Sequence, residues 1–368
     1  MKNLFRILAA LMSAVLLAAC GDGASSWSTQ VLTTPLSSAR QPVTGNLQAR
    51  VNSYNTLYVA NLGMCLRTCS PSAVTLYAHG RTLIKTISDG VSGPRAMAIN
   101  KSGRLFVANN SGHWKGSAVT VYAQHNKQLL RTISQGVIRP LSVAFDSAGN
   151  LYVACRFVVR VFAPGGKSPM RTISQGAKYP VALAIDSSDY LYVASWDTPG
   201  PSSGQTVSVY APGGDVPVRS ISQGISEPGA LAFDASGNLY VGNTSASGLS
   251  YVTVYAPGST TVLRTISKGI DYPAALAFDG SGKLYVANQA GTVTVYASGS
   301  TRLLRTISQG LYDPDDLAFD SSGNLYVANV AFFDPSSNST VNVYAPGSKT
   351  LLRQISGVNN PRVLLFGP

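Results

Sequence analysis

From residue 47 onward the chain alternates short apolar runs with turns built from Gly, Ser, Asn, Asp and Pro. One stretch shows the pattern clearly: Leu276-Ala277-Phe278-Asp279, then Leu284 to Asn288, then Val293-Thr294-Val295-Tyr296, then Leu303 to Ser308. Runs this short and this rich in Val, Ile, Thr, Tyr and Phe predict strands, and segments such as Ser236-Gly237-Asn238 and Ala256-Pro257-Gly258 predict the turns between them. No window carries a helical period. Connections of a few residues suit antiparallel neighbours, because parallel pairing needs a long crossover.

The phrase Leu57-Tyr58-Val59-Ala60 returns at Leu105, Leu151, Leu191, Leu239, Leu284 and Leu325, with spacings of 48, 46, 40, 48, 45 and 41 residues. Seven units of four strands follow, at the period of propeller blades. Along one such strand Leu239 and Val241 point one way while Tyr240 and Gly242 point the other, and both sets are apolar or small. Both faces of each sheet must therefore be covered, which radial stacking of blades achieves. In the first strand of successive units Ala98, Ala144, Ala184, Ala232, Ala277 and Ala318 sit between larger residues, as converging sheets near an axis require. The predicted fold is an all-β, seven-bladed propeller with four antiparallel strands per blade.

The last unit is followed by Pro361-Arg362-Val363-Leu364-Leu365-Phe366, which matches Pro314 to Phe319 and is one first strand too many. Blade one has two segments to choose from for its own first strand, Leu47–Val51 and Val363–Phe366. The C-terminal segment matches better, and its use would tie the two ends of the ring into one sheet. The phrases Leu-Ala-Phe-Asp, Ser-Gly-Asn-Leu-Tyr-Val-Ala-Asn and Val-Tyr-Ala-Pro-Gly resemble NHL-type repeats and the related YVTN and SMP-30/gluconolactonase-like propellers, over residues 47–368. The resemblance implies fold far more than function, since such propellers include both binding scaffolds and enzymes.

The N-terminus is of another kind. Lys2 and Arg6 precede an apolar run, Ile7 to Ala19, too short to span a bilayer and ordered like a secretory signal. Its end, Leu17-Ala18-Ala19-Cys20, resembles a bacterial lipobox, which implies a signal peptide over 1–19 and a lipid anchor on Cys20. Gly21 after the cysteine favours, by that resemblance, the outer membrane, on its periplasmic side or at the cell surface. The Ser-, Thr- and Gly-rich segment completing residues 20–46 reads as a tether leading to the propeller at 47–368.

Composition narrows the chemistry. Charged residues make up 12% of the 368, and among the 16 acids Glu227 is the one glutamate, with three histidines beside them. Side chains that perform acid, base or metal work are therefore scarce. The net charge of +12 falls to +10 without Lys2 and Arg6, yet Lys85, Arg131, Arg171, Arg219, Arg264, Arg305 and Arg353 all occupy one position in the fourth strand. Cations on exposed edges discourage edge-to-edge pairing, and the loops of the two faces carry near-equal numbers of acids and bases, so no nucleic-acid partner is expected.

Export places the thiols where disulfides form, and Cys65 and Cys69 share one loop and are expected to pair. Cys155 replaces the asparagine of other units and reads as a small buried residue. No cofactor and no metal site is expected. The repeat aspartates Asp146, Asp186, Asp234, Asp279 and Asp320 precede turns whose amides they cap, and the acidic and amide cage of SMP-30-like lactonases has no counterpart near Glu227. His113 lies in a peripheral loop.

The off-pattern aromatics fall in loops of one face: Trp114, Trp196 and Phe332 in second-to-third connections, Tyr179, Tyr272 and Tyr312 in fourth-to-first connections. Exposed aromatics beside polar groups suit recognition of sugars, peptides or proteins. At the axis the residue after each repeat proline sets Arg95, Asp315, Asp316 and Arg362 side by side in blades two, seven and one. The expectation is a membrane-tethered, noncatalytic binding or scaffold propeller of the cell envelope, meeting a glycan, peptide or protein through that face. The alternative is an SMP-30/gluconolactonase-like hydrolase or lyase with an atypical axial site.

Overall fold

The computed structural model describes residues 55–65, 69–111, 116–125, 127–196, 205–245, 248–330 and 339–368. The expected signal segment, Cys20, the tether, Leu47–Val51, Trp114 and Phe332 lie outside them. The described chain forms seven four-stranded antiparallel sheets in a ring, a seven-bladed β-propeller.

Blades two to seven each use four strands consecutive in sequence, beginning respectively at Pro94, Ser142, Pro180, Pro228, Pro273 and Asp313. Blade one is composite. Its innermost strand is Pro361–Gly367, paired antiparallel with Thr56–Asn61, which pairs with Ala73–Ala78 and then Thr82–Ile87. The C-terminal segment thus fills the first-strand position, with Val59 opposite Leu364 and Tyr58 opposite Leu365.

Each seam between neighbouring blades holds its own apolar cluster. The second strand presents an aromatic ring to the first strand of the next blade. Phe106 meets Phe145, Tyr192 meets Phe233, Tyr240 meets Phe278, Tyr285 meets Phe319 and Tyr326 meets Phe366, all edge to face at 4.8 to 5.0 Å. That geometry sets the quadrupole of one ring favourably against the other. At the two remaining seams Ile185 and Ile99 take the place of the Phe.

The hydroxyls of these tyrosines are anchored as well. Asp320 Oδ1 accepts the backbone N–H groups of Ser322 and Asn324 and Oδ2 accepts the Tyr326 hydroxyl, whose oxygen accepts from Arg353. Asp279, Tyr285 and Arg305 repeat the arrangement, as do Asp146, Tyr152 and Arg171. The repeat arginines therefore do not hang from the blade edges. Arg131, Arg219, Arg305 and Arg353 lie over aromatic rings at 5.5 to 5.9 Å, because a guanidinium gains more from a ring face and a hydroxyl than from bulk water. The outer edges expose Leu83, Leu130, Met170, Val218, Leu263 and Leu352 instead.

Candidate functional site

The face that gathers the second-to-third and fourth-to-first connections is built by one recurring tie. Asn61, Asn109, Asn243, Asn288 and Asn329, at the end of the second strand, each accept a backbone N–H from the fourth-to-first loop at 2.7 to 3.1 Å. All five donate to a third-strand threonine: Thr75, Thr120, Thr253, Thr294 and Thr340. Backbone bonds from Trp196 to Tyr179 and from Gln289 to Tyr272 join the same two loop sets. In blade three Cys155 takes the asparagine's place, fully buried with its sulfur 3.8 Å from the Gly136 carbonyl, and burial pushes its thiol up to about 11.

At the axial end of this face the first strands begin irregularly. In blades one, two, four, five, six and seven the pairing register slips just after the repeat proline, so that Arg362, Arg95, Val181, Gly229, Ala274 and Asp315 stand outside the ladder. Leu141 occupies the same step in blade three, its N–H bonded to Ala154. A bulge re-aims the side chain it carries and bends the strand, which suits the mouth of a ring. The preceding residue is left-handed in six blades: Gly93, Arg139, Tyr179, Glu227, Tyr272 and Asn360 have φ between 43° and 60°. Five of these are not glycine, a concentration of backbone strain of the kind found at functional sites. Blade seven departs from this pattern, with Asp313 extending its strand and pairing with Val330.

Blades seven, one and two together place the charges. Arg362 Nη1 lies 3.2 Å from Asp315 Oδ2, both side chains largely buried, and Gln289 donates to Asp315 Oδ1 at 3.4 Å. Burial pushes the Asp313 carboxyl up to about 7, helped by the charge of Asp315 and opposed by Arg362. Arg95 is lowered to about 10 by burial and by the neighbouring cations Arg362 and Arg139, against the pull of Asp315. Asp316 has a different part. It is fully buried, with its carboxylate accepting the N–H groups of Leu317 and Leu364, so it holds backbone and does not face the opening.

The expected aromatics fall in varied settings. Trp196 is half-buried against the seam of blades four and five, its indole N–H donating to the Pro228 carbonyl at 3.0 Å. Tyr272 and Tyr312 are exposed. Tyr179 meets the exposed Phe157 ring at 6.1 Å, and Arg156 lies 4.9 Å over Phe157. Arg156, Phe157, Asp313 and Asn360 escape a reading of repeats: the first pair lies in blade three's short loop, the second pair just before the proline. The offset preceding the proline is the signal that finds the latter two.

The repeat aspartates cap turns as their spacing predicts, Asp234 for instance accepting from Ser236 and Asn238. Glu227 is raised by burial, and its backbone N–H donates to Gln205. Among the described residues no group of three or more His, Cys, Asp or Glu is placed to hold a metal ion. The backbone pairs Cys65 opposite Cys69 in a small hairpin within the second-to-third connection of blade one.

No family model matches the chain, and no curated protein matches its sequence. Among solved structures, hydrazine synthase of Kuenenia stuttgartiensis is similar over 68% of this chain and 76% of that one, with a TM-score of 0.56 and 18% identity. At that identity the likeness is one of fold.

Proposed function

We propose that the chain is a noncatalytic binding propeller that meets a component of the bacterial cell envelope through the face described above. The observation that carries this reading is the axial mouth, where bulges in successive blades bring Arg95, Arg362 and Asp315 together while the repeat acids stay committed to turns. Exposed Phe157, Tyr272 and Tyr312 on the surrounding loops add contact area of the sort used for sugars and peptides. The proposal includes export, a lipid anchor on Cys20 and retention at the outer membrane, supported by the lipobox-like Leu17-Ala18-Ala19-Cys20.

A catalytic reading, a hydrolase or lyase of the SMP-30 kind, draws on one observation, a carboxyl at the mouth held near neutrality by its surroundings, as Asp313 is. A thermal-shift series on the full chain with soluble peptidoglycan fragments, chitooligosaccharides, calcium, zinc and gluconolactone separates the two. Stabilisation by an envelope fragment without turnover supports the binding reading. Stabilisation by a divalent metal together with lactone hydrolysis overturns it.

A further inference from the structure

The mouth holds more hydrogen-bonding capacity than its own residues use. Arg95 Nε, Arg362 Nε, Asp313 Oδ1 and both amide atoms of Asn360 are buried without a partner, and Asn360 is 1% exposed. Buried polar atoms left open in this way call for a water or a ligand group. Three of these five atoms are donors that lack an acceptor. Arg362 and Gln289 already occupy the two oxygens of Asp315, while guanidinium nitrogens have no acceptor capacity of their own to offer one another.

The charge balance selects the size of the anion. Arg362, Arg139 and Asp315 act on Arg95, and Asp315 and Arg362 act on Asp313, across the mouth. Above pH 7, with Asp313 ionised, three cations against two carboxylates leave room for a single negative charge. A dianion such as phosphate would face two carboxyl groups at close range. The opposite arc, in blades three to six, carries Leu141, Val181, Gly229 and Ala274 at the same step; none of them bears a polar side chain, and Val181, Gly229 and Ala274 are buried in the core.

Resting on the binding reading above, we propose that this mouth is a carboxylate site, with Arg95 and Arg362 holding the carboxylate. Two sources supply that chemistry, the free C-terminus of a peptide and a small aliphatic acid. Guanidinium forks match the planar carboxylate. Asp313 tunes the site. It faces Asp315 on its own strand, Arg362 on the closing strand and, through them, Arg95 of blade two; when protonated it removes a repulsive charge, so binding tightens on acidification.

Calorimetric titration of the full chain with N-acetyl-Ala-Ala, its C-terminal amide, isobutyrate and inorganic phosphate tests this. The account expects the peptide acid to bind at least tenfold more tightly than the amide, phosphate to bind no better than the amide, and Arg95→Gln to weaken the peptide acid at least tenfold. Isobutyrate binding as well as the peptide acid identifies the small acid as the source, and weak isobutyrate binding identifies the peptide terminus. Asp313→Asn serves as a second variant, since it adds no charge: at pH 8 it should bind several-fold more tightly than the wild type and lose the pH dependence between 6 and 8. Equal affinity for acid and amide, or an unchanged Arg95→Gln, overturns the carboxylate site. Peptidoglycan fragments that still stabilise Arg95→Gln as they do the wild type would sink this site while leaving the binding reading in place.

Discussion

The Oδ2 oxygen of Asp316 accepts the backbone N–H of Leu364 at 2.8 Å, a bond from blade seven to the innermost strand of blade one. Both groups are fully buried, so neither has water to fall back on. The C-terminal end of the same strand is held as well: the Tyr58 hydroxyl donates to the Pro368 carbonyl at 2.6 Å, with the Lys127 ammonium 3.5 Å from it. A strand contributed from the far end of the sequence is thereby fixed at its middle and just beyond its last residue, and the ring has no open seam among its described blades.

Asp316→Ala should therefore destabilise the ring more than a typical buried truncation of its size. It strands the Leu364 and Leu317 amides, at roughly 1 to 3 kcal/mol for each unsatisfied group. A urea midpoint displaced to lower concentration with the slope retained checks it; a midpoint within error of the wild type would show that the bond does not secure the closure.

Removal of one hydroxyl from the repeat relay should cost less. In Tyr285→Phe the ring still packs edge-on to Phe319, while Arg305 and Asp279 lose their shared partner. The expected loss is about 1 kcal/mol, against about 3 to 5 kcal/mol for Tyr285→Ala, which also empties the seam. Chemical denaturation of the two variants side by side distinguishes packing from hydrogen bonding.

Burial raises Asp313 to about 7, well above the value of about 3.9 for an unfolded aspartate. The folded chain then holds this proton more firmly, so the contribution of Asp313 to stability is greatest at low pH and declines as pH rises from about 4 to 7. Asp313→Asn does not titrate. Its stability should exceed that of the wild type at pH 8 by roughly 1 kcal/mol or more, and the gap should close toward pH 4. Denaturation midpoints at pH 4, 6 and 8 measure this directly, and a gap independent of pH would contradict it.

Much of this was legible in the residues and part was not. The sevenfold phrase, the surplus C-terminal strand and the capping role of aspartates such as Asp234 followed from spacing alone, because period-2 strands and turn chemistry are local. The fate of the fourth-strand arginines was not, since whether Arg353 guards an edge or folds over Tyr326 depends on the reach of the side chain within the assembled blade. Asp316 and Asp315 stand next to each other in sequence and are both buried, yet the register slip after Pro314 sets Asp315 against Arg362 and Asp316 against the Leu364 amide. A register slip of that kind leaves no mark in the pattern of apolar positions.

Cys155 should be chemically silent in the folded state. It is buried, and its thiol stands near 11, above the ordinary range, so little thiolate exists at neutral pH. In the folded chain iodoacetamide should leave Cys155 unmodified at pH 8 while labelling it fully in urea; mass mapping of the Cys155 peptide decides the matter.

The most direct test of the face itself is hydrogen exchange on the full chain with and without saturating soluble peptidoglycan fragments. The account predicts slowed exchange around Arg95, Asp315 to Leu317 and Arg362 to Leu364, with the outer strands unchanged. Protection confined to the outer strands, such as Leu83 to Lys85 or Leu352 to Gln354, would contradict it.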